Sequence, residues 1–268
     1  MESIDKQKVR FSIIDYLNAL PLNMAFKDGL FAADAALLFD YPSQCADNLA
    51  SRKADVGLIS SIEYQRIPQL VIAPHVCIAA RNEVRSVLIV TKKPLGEVQT
   101  VALDRFSRSS AALLQILLHR RYGARPRFVT MAPDSEIMLK EADAALIIGD
   151  AALALKPTPY QTKDLAGEWF AETGLPFVFA FWAMYQGVHA KRVSEMVLRA
   201  KEYGLEQLWS RVDSIKARWN FPEQEIRRYF SENLHYDLGE LEKESLERFY
   251  QYAFEARLIG KPEALRFA

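Results

Sequence analysis

The chain is 268 residues long, half of them hydrophobic and a quarter charged, which fits a globular protein built as one large domain or two lobes. Thirty-four basic residues balance thirty-four acidic ones, so the chain as a whole is not built for nucleic acid or anionic membrane, although a local basic pocket is not excluded. Cys45 and Cys77 stand at neither metal-ligand nor disulfide-framework spacing, and no apolar run approaches the ~18–20 residues of a membrane span.

The polar opening MESIDKQKVR lacks the long apolar run of a signal peptide, which points to a reduced, cytoplasmic protein. VRFSIID (9–15) then reads as a buried strand and LPLNMAFKDGL (20–30) as a helix with Gly29 near its end. AALLFDYP (35–42) is a second strand. SQCADNLASRKA (43–54) is a helix with Ser43 as its N-cap, and VGLISS (56–61) is a third strand. Two apolar runs, LVIAPHVCIAA and VRSVLIVT, fill 70–91. Alternation resumes with TVALD (100–104) as strand, SSAALLQILLHRRYG (109–123) as helix and PRFVTM as strand, followed by SEIMLKEA as helix and AALIIGD (144–150) as strand. LPFVFAFWAM (175–184) is a long strand. Beyond it the chain is helical and periodic, with Val193, Met196, Val197 and Ala200 on one face.

Alternating strands and helices predict α/β architecture with mixed, mostly parallel sheets covered by helices on both faces. The echo between ADVGLISS (54–61) and ADAALIIGD (142–150) suggests two similar lobes. Ligands of such sheets bind at the carboxyl ends of strands, so the polar residues there become the candidates: Asn18, Ser60, Ser61, Asp104, Ser107, Ser109, Ser110 and Asp150.

No Gly-rich phosphate loop, dinucleotide fingerprint, HExxH or nucleophile elbow is present, and the four histidines are scattered. No metal and no cofactor is indicated. FSRSSAALL carries the most information. Its serines precede a helix whose first amides lack intrahelical partners, and those amides, the hydroxyls and the positive dipole end suit a carboxylate or phosphate. One serine would suffice as an ordinary N-cap, so both readings stand. Asp150 in GDAALAL reads as a helix cap. Asn18 in YLNALPL either bonds neighbouring backbone before Pro21 opens a helix or turns its amide to a ligand.

YLNALPL, VRSVLIV with a serine at Ser86, FSRSSAALL, AALIIGDAAL, TGLPFVFAFWA and LHYDLGE occur in an order that resembles the chorismate dehydratases of the futalosine route to menaquinone. SRSS stands where the resemblance expects SRTS; Ser109 keeps the hydroxyl and loses a methyl. The resemblance implies a two-lobed fold similar to type II periplasmic binding proteins, crossed twice by the chain. Lobe one would comprise residues 1–92 and 184–268 with the C-terminal helices, and lobe two would be inserted as 93–183. It implies chorismate as small-molecule substrate, 3-[(1-carboxyvinyl)oxy]benzoate and water as products, and neither nucleic acid nor membrane as partner.

On that resemblance Asn18 and Ser86 are the catalytic candidates, and Ser60, Ser61, Ser107, Arg108, Ser109, Ser110, Gly149 and Asp150 the substrate-binding ones. Donors around the ring carboxylate would stabilise the dienolate formed when C3 is deprotonated. The base is either the substrate's own enolpyruvyl carboxylate or a protein carboxylate, Asp150 or Glu63. A non-catalytic solute-binding or sensor protein for a small carboxylate would share the fold and the helix-start cradle.

Overall fold

β1 (Val9–Ile14) is nearly continuous in its apolar character because it is flanked on both sides, by β2 (Ala35–Asp40) and by β3 (Val56–Ser60), each in parallel. The computed structural model describes residues 8–187 and 189–268. The polar opening residues 1–7, used above in the signal-peptide argument, lie outside the described residues. Between these strands run α1 (Leu20–Lys27), with Pro21 in its first turn, and α2 (Pro42–Ala50). Ser43 is not the cap expected for α2. Pro42 occupies the first helical position, where a missing N–H costs nothing, and Gln44 Oε1 reaches back to accept from Tyr41 N at 3.3 Å. β4 (Leu70–Ala80) joins the two halves of LVIAPHVCIAA into one strand, bent where Pro74 lacks a donor and His75 takes a left-handed conformation.

The chain next builds a second sheet from β5 (Val87–Thr91), β6 (Thr100–Asp104), β7 (Arg127–Met131), β8 (Ala144–Ile148) and β9 (Gln161–Asp164). Its helices are α3 (Ser109–Tyr122), closed by left-handed Gly123, α4 (Ser135–Glu141), α5 (Gly149–Leu153) and α6 (Leu165–Thr173). The short exposed β9 and the helix α6 escaped the periodicity reading. β10 (Phe177–Tyr185) then returns to the first sheet. The orders are β2-β1-β3-β10-β4 and β7-β6-β8-β5-β9. In each, one strand runs against four, β10 in the first and β5 in the second, so the architecture is two-lobed α/β with mixed, mostly parallel sheets.

Strand pairing moves the crossings from the expected 92/93 and 183/184 to 81–86 and 174–176, since β5 belongs to the second sheet and all of β10 to the first. An apolar run shows that a strand is buried without showing in which sheet. Four hydrogen bonds hold the first crossing. Asp164 Oδ2 accepts from Val84 N (3.0 Å) and Arg85 N (2.6 Å), Glu83 O accepts from Asn233 Nδ2 (3.0 Å), and Ser86 O accepts from Gly149 N (2.8 Å).

The C-terminal third comprises α7 (Ala190–Gln207), α8 (Val212–Trp219), α9 (Glu223–Arg228) and α10 (Glu240–Glu255). α7 packs on α1 and β4. Their approach is so close that a Cβ on Gly204 would lie 1.8 Å from the Pro21 carbonyl oxygen. α10 instead touches both lobes. Its Phe249 meets Trp169 of α6 and Phe177 of β10 at centroid distances of 6.1 and 5.0 Å, and Trp169 Nε1 donates to Ser245 Oγ at 3.0 Å. No helix of the described residues is long and apolar enough to cross a membrane.

Candidate active site

The carboxyl ends of β1, β3 and β8, the amino end of β5 and the loop after β6 meet along one cleft between the lobes. Asn18, Ser60, Ser86, Ser107, Arg108, Ser109, Ser110 and Gly149 line it, together with Tyr16 and Phe106. Ser61 and Asp150 lie behind its wall. The free volume is about 50 Å³, room for a few waters.

Asn18 sits in a single 3-10 turn, Leu17–Ala19, wedged between β1 and α1. Its carbonyl accepts from Tyr236 OH at 2.8 Å, while its buried side-chain Oδ1 has no partner among the described residues. The neighbouring-backbone alternative therefore fails, because that oxygen caps nothing. The turn is fixed from the other lobe as well: Asp150 Oδ1 accepts from Leu17 N at 3.0 Å and Oδ2 from Trp219 Nε1 at 2.8 Å. Asp150 is thus not a cap of its own helix. Burial raises its pKa, and both oxygens are committed to protein donors.

The serines divide in two. Ser61 Oγ donates to Val178 O at 2.7 Å, so the 3.0 Å contact between Ser61 and Ser109 uses the Ser109 proton. Ser109 Oγ also accepts from Ile62 N at 3.0 Å. Both hydroxyls tie the start of α3 to lobe one and have no proton left for a ligand. Among the described residues Ser107 Oγ is buried and unpartnered, and Ser110 lines the cleft with no side-chain hydrogen bond. Ser86 Oγ accepts from Tyr229 OH at 2.7 Å. Around them stand the first amides of the 14-residue α3 at the positive end of its dipole.

Arg108 donates to Glu63 Oε2 at 3.0 Å and to Asp47 Oδ1 at 2.8 Å, linking lobe two to lobe one. Buried Glu63 is paired with Arg66 as well, at 2.8 Å. The cation is neutralised and the carboxylate held by two guanidinium groups. Tyr41 and Phe106 stack across the cleft mouth with centroids 4.0 Å apart and planes within 15°. Asp104, at the end of β6, is buried and accepts from Phe106 N at 2.9 Å; burial pushes its carboxyl up to about 6. The phenol of Tyr16 is raised by burial first and then by Asp104 and Asp150.

The cleft therefore offers neutral donors and a helix start to an anion, with nearby carboxylates turned into the protein. Among the described residues no three His, Cys, Asp or Glu side chains converge as metal ligands. Trp219, Tyr229 and Tyr236 hold Asp150, Ser86 and Asn18 from behind, and the sequence reading singled out none of the three as a site residue.

A family model described as menaquinone biosynthesis matches residues 9–255. The chain is 30% identical to the chorismate dehydratase of Thermus thermophilus, over 94% of this chain and 95% of that protein. It is 27% identical to the chorismate dehydratase of Campylobacter jejuni, over 89% and 95%. Among solved structures, a protein of Archaeoglobus fulgidus superposes with a TM-score of 0.76 at 16% identity, covering 94% of this chain and 98% of its own. The periplasmic aliphatic sulphonate binding protein of Escherichia coli superposes with a TM-score of 0.65 at 14% identity, covering 95% and 94%. These two likenesses establish a periplasmic-binding-protein-like fold.

Proposed function

The chain belongs to the menaquinone-biosynthesis family, and from that premise we propose that it is a chorismate dehydratase, a hydro-lyase that turns chorismate into 3-[(1-carboxyvinyl)oxy]benzoate and water in its interlobe cleft. The observation that carries this reading is the pairing of two buried, unpartnered oxygens, Asn18 Oδ1 and Ser107 Oγ, in one cleft at the start of α3.

The C3–H of chorismate is conjugated through the ring with its carboxylate. Loss of the C3 proton sends its electron pair into a dienolate, and the C4 hydroxyl departs as water with the proton that the base took from C3, leaving an aromatic ring. The ring carboxylate gains charge in this step. Ser86, Ser107, Ser110 and the first amides of α3 are the donors assigned to it, each such donor being worth about 3–4 kcal/mol of barrier. Ser61 and Ser109 hold the lobes together behind them, and Arg108 serves the same closure. Asn18 receives the C4 hydroxyl. With Asp150 and Glu63 both engaged by protein donors, the enolpyruvyl carboxylate of the substrate is assigned as base. The cleft needs only to hold it against C3, and proximity of this kind can contribute ~7–11 kcal/mol.

Incubation of the purified protein with chorismate, without added metal or nucleotide, followed by mass-resolved chromatography tests the proposal. The enolpyruvyloxybenzoate is expected above the no-enzyme control. Unchanged chorismate overturns the dehydratase reading; a rise in melting temperature with chorismate in that sample would then mark a non-catalytic carboxylate-binding protein.

A further inference from the structure

Residues 229–233 form a π-helical turn, with Leu234 N bonded to Tyr229 O at 3.1 Å, a wide turn often met at functional sites. The turn grips the first crossing at two points, through Asn233 Nδ2 on Glu83 O and through Tyr229 OH on Ser86 Oγ. Tyr229 is fully buried, and among the described residues Ser86 Oγ is the one hydrogen-bond partner of its hydroxyl.

A serine hydroxyl has one proton, free to rotate about the Cβ–Oγ bond. When a phenol donates to that oxygen, the serine proton must lie on another side. Ser86 borders the cleft, and among the described residues its hydroxyl donates to no protein acceptor, so the cleft is the side assigned to that proton. Accepting a bond also strengthens the serine as a donor in turn. We propose that Tyr229 is a positioning residue that holds Ser86 as an oriented, polarised hydrogen-bond donor to the substrate's ring carboxylate. This rests on the dehydratase reading. Burial raises the phenol's pKa, so Tyr229 keeps its proton at any working pH.

The test compares kcat, KM and melting temperature on chorismate for wild type, Ser86→Ala, Tyr229→Phe, the double variant and Asn233→Ala. Ser86→Ala is expected to lower kcat about 10²- to 10³-fold. Tyr229→Phe, which keeps the ring and removes one hydroxyl, lowers kcat about tenfold with KM and melting temperature nearly unchanged. The double variant falls no further than Ser86→Ala alone, because the phenol acts only through that hydroxyl. Asn233→Ala, which loosens the same crossing without touching Ser86, keeps kcat within about twofold. The inference is overturned by an unchanged kcat in Tyr229→Phe, by losses that multiply in the double variant, or by an equal loss in Asn233→Ala. Those outcomes leave the dehydratase reading intact. Absence of product from wild type removes the reading and the inference together.

Discussion

The Tyr16 ring lies against the Cα of Gly149 across the two lobes, so close that a Cβ at 149 would sit 2.8 Å from two ring carbons. Gly149 also has φ +63°, a left-handed conformation that only glycine takes without strain. The Gly149→Ala protein is expected to lose about 1–3 kcal/mol of stability and to turn over poorly, since the displaced ring shares a short turn with Asn18. Wild-type turnover with an unchanged melting temperature would show that the contact does not matter.

Asn18→Ala removes the unpartnered oxygen without disturbing the carbonyl that Tyr236 holds. If that oxygen accepts from the C4 hydroxyl and orients it for departure, kcat falls about tenfold with little change in melting temperature. A rise in KM alone would reduce Asn18 to ground-state binding.

Arg108 joins the lobes through a buried carboxylate and an exposed one. Glu63→Gln, which lies outside the cleft wall, should reproduce the effect of Arg108→Gln, a rise in KM of about tenfold, because a charged bond to a buried group is lost in both. Asp47→Asn should change KM less than about twofold, its side chain being 63% exposed. Equal effects from Glu63 and Asp47 would count against the latch.

Asp104 gives a pH dependence of definite sign. Its carboxyl titrates near 6 in the folded protein against 3.8 ordinarily, so the folded state holds the proton more tightly than the unfolded chain. Its contribution is neutral below about pH 4, and stability falls as pH rises to 6, by about 3 kcal/mol in all. Denaturant midpoints at pH 4 and 8 should therefore differ less in Asp104→Asn than in wild type, with the variant gaining mainly at pH 8. An equal difference in the two proteins would refute the buried proton.

Gly204 permits the contact of α7 with α1. Gly204→Ala drives a methyl group into the Pro21 carbonyl and should cost about 3 kcal/mol, or roughly 6–12 °C in melting temperature, whereas Gly260→Ala, with open space around it, should melt like wild type.

The rule that ligands gather at strand carboxyl ends led directly from the β/α alternation to Asn18 and Ser60, and the helix start at 107–110 showed itself in its serines. Side-chain direction stayed hidden. Ser107 and Ser109 are two residues apart in one motif, yet one is unpartnered and the other bonded to Ser61 and Ile62, a difference made by a segment nearly 50 residues away. Tyr236 meets Asn18 across 218 positions and Tyr229 meets Ser86 across 143. No local pattern marks an aromatic whose hydroxyl is wanted at that distance. The crossing points stayed hidden for a similar reason, since VLIVT would be equally buried in either sheet.

The place of β10 has a bearing on how the molecule is made. β4 pairs with β10 on one edge and, through single bridges, with His235 and Phe267 on the other, and β10 follows β4 by nearly a hundred residues, after the whole second lobe. During synthesis the ribosome thus releases an eleven-residue apolar strand whose neighbour does not yet exist. The second sheet has all five of its strands once residue 164 has emerged, before the first sheet can close. The half of the protein that is begun first is finished last, and until then β4 is the edge most open to pairing with the wrong chain.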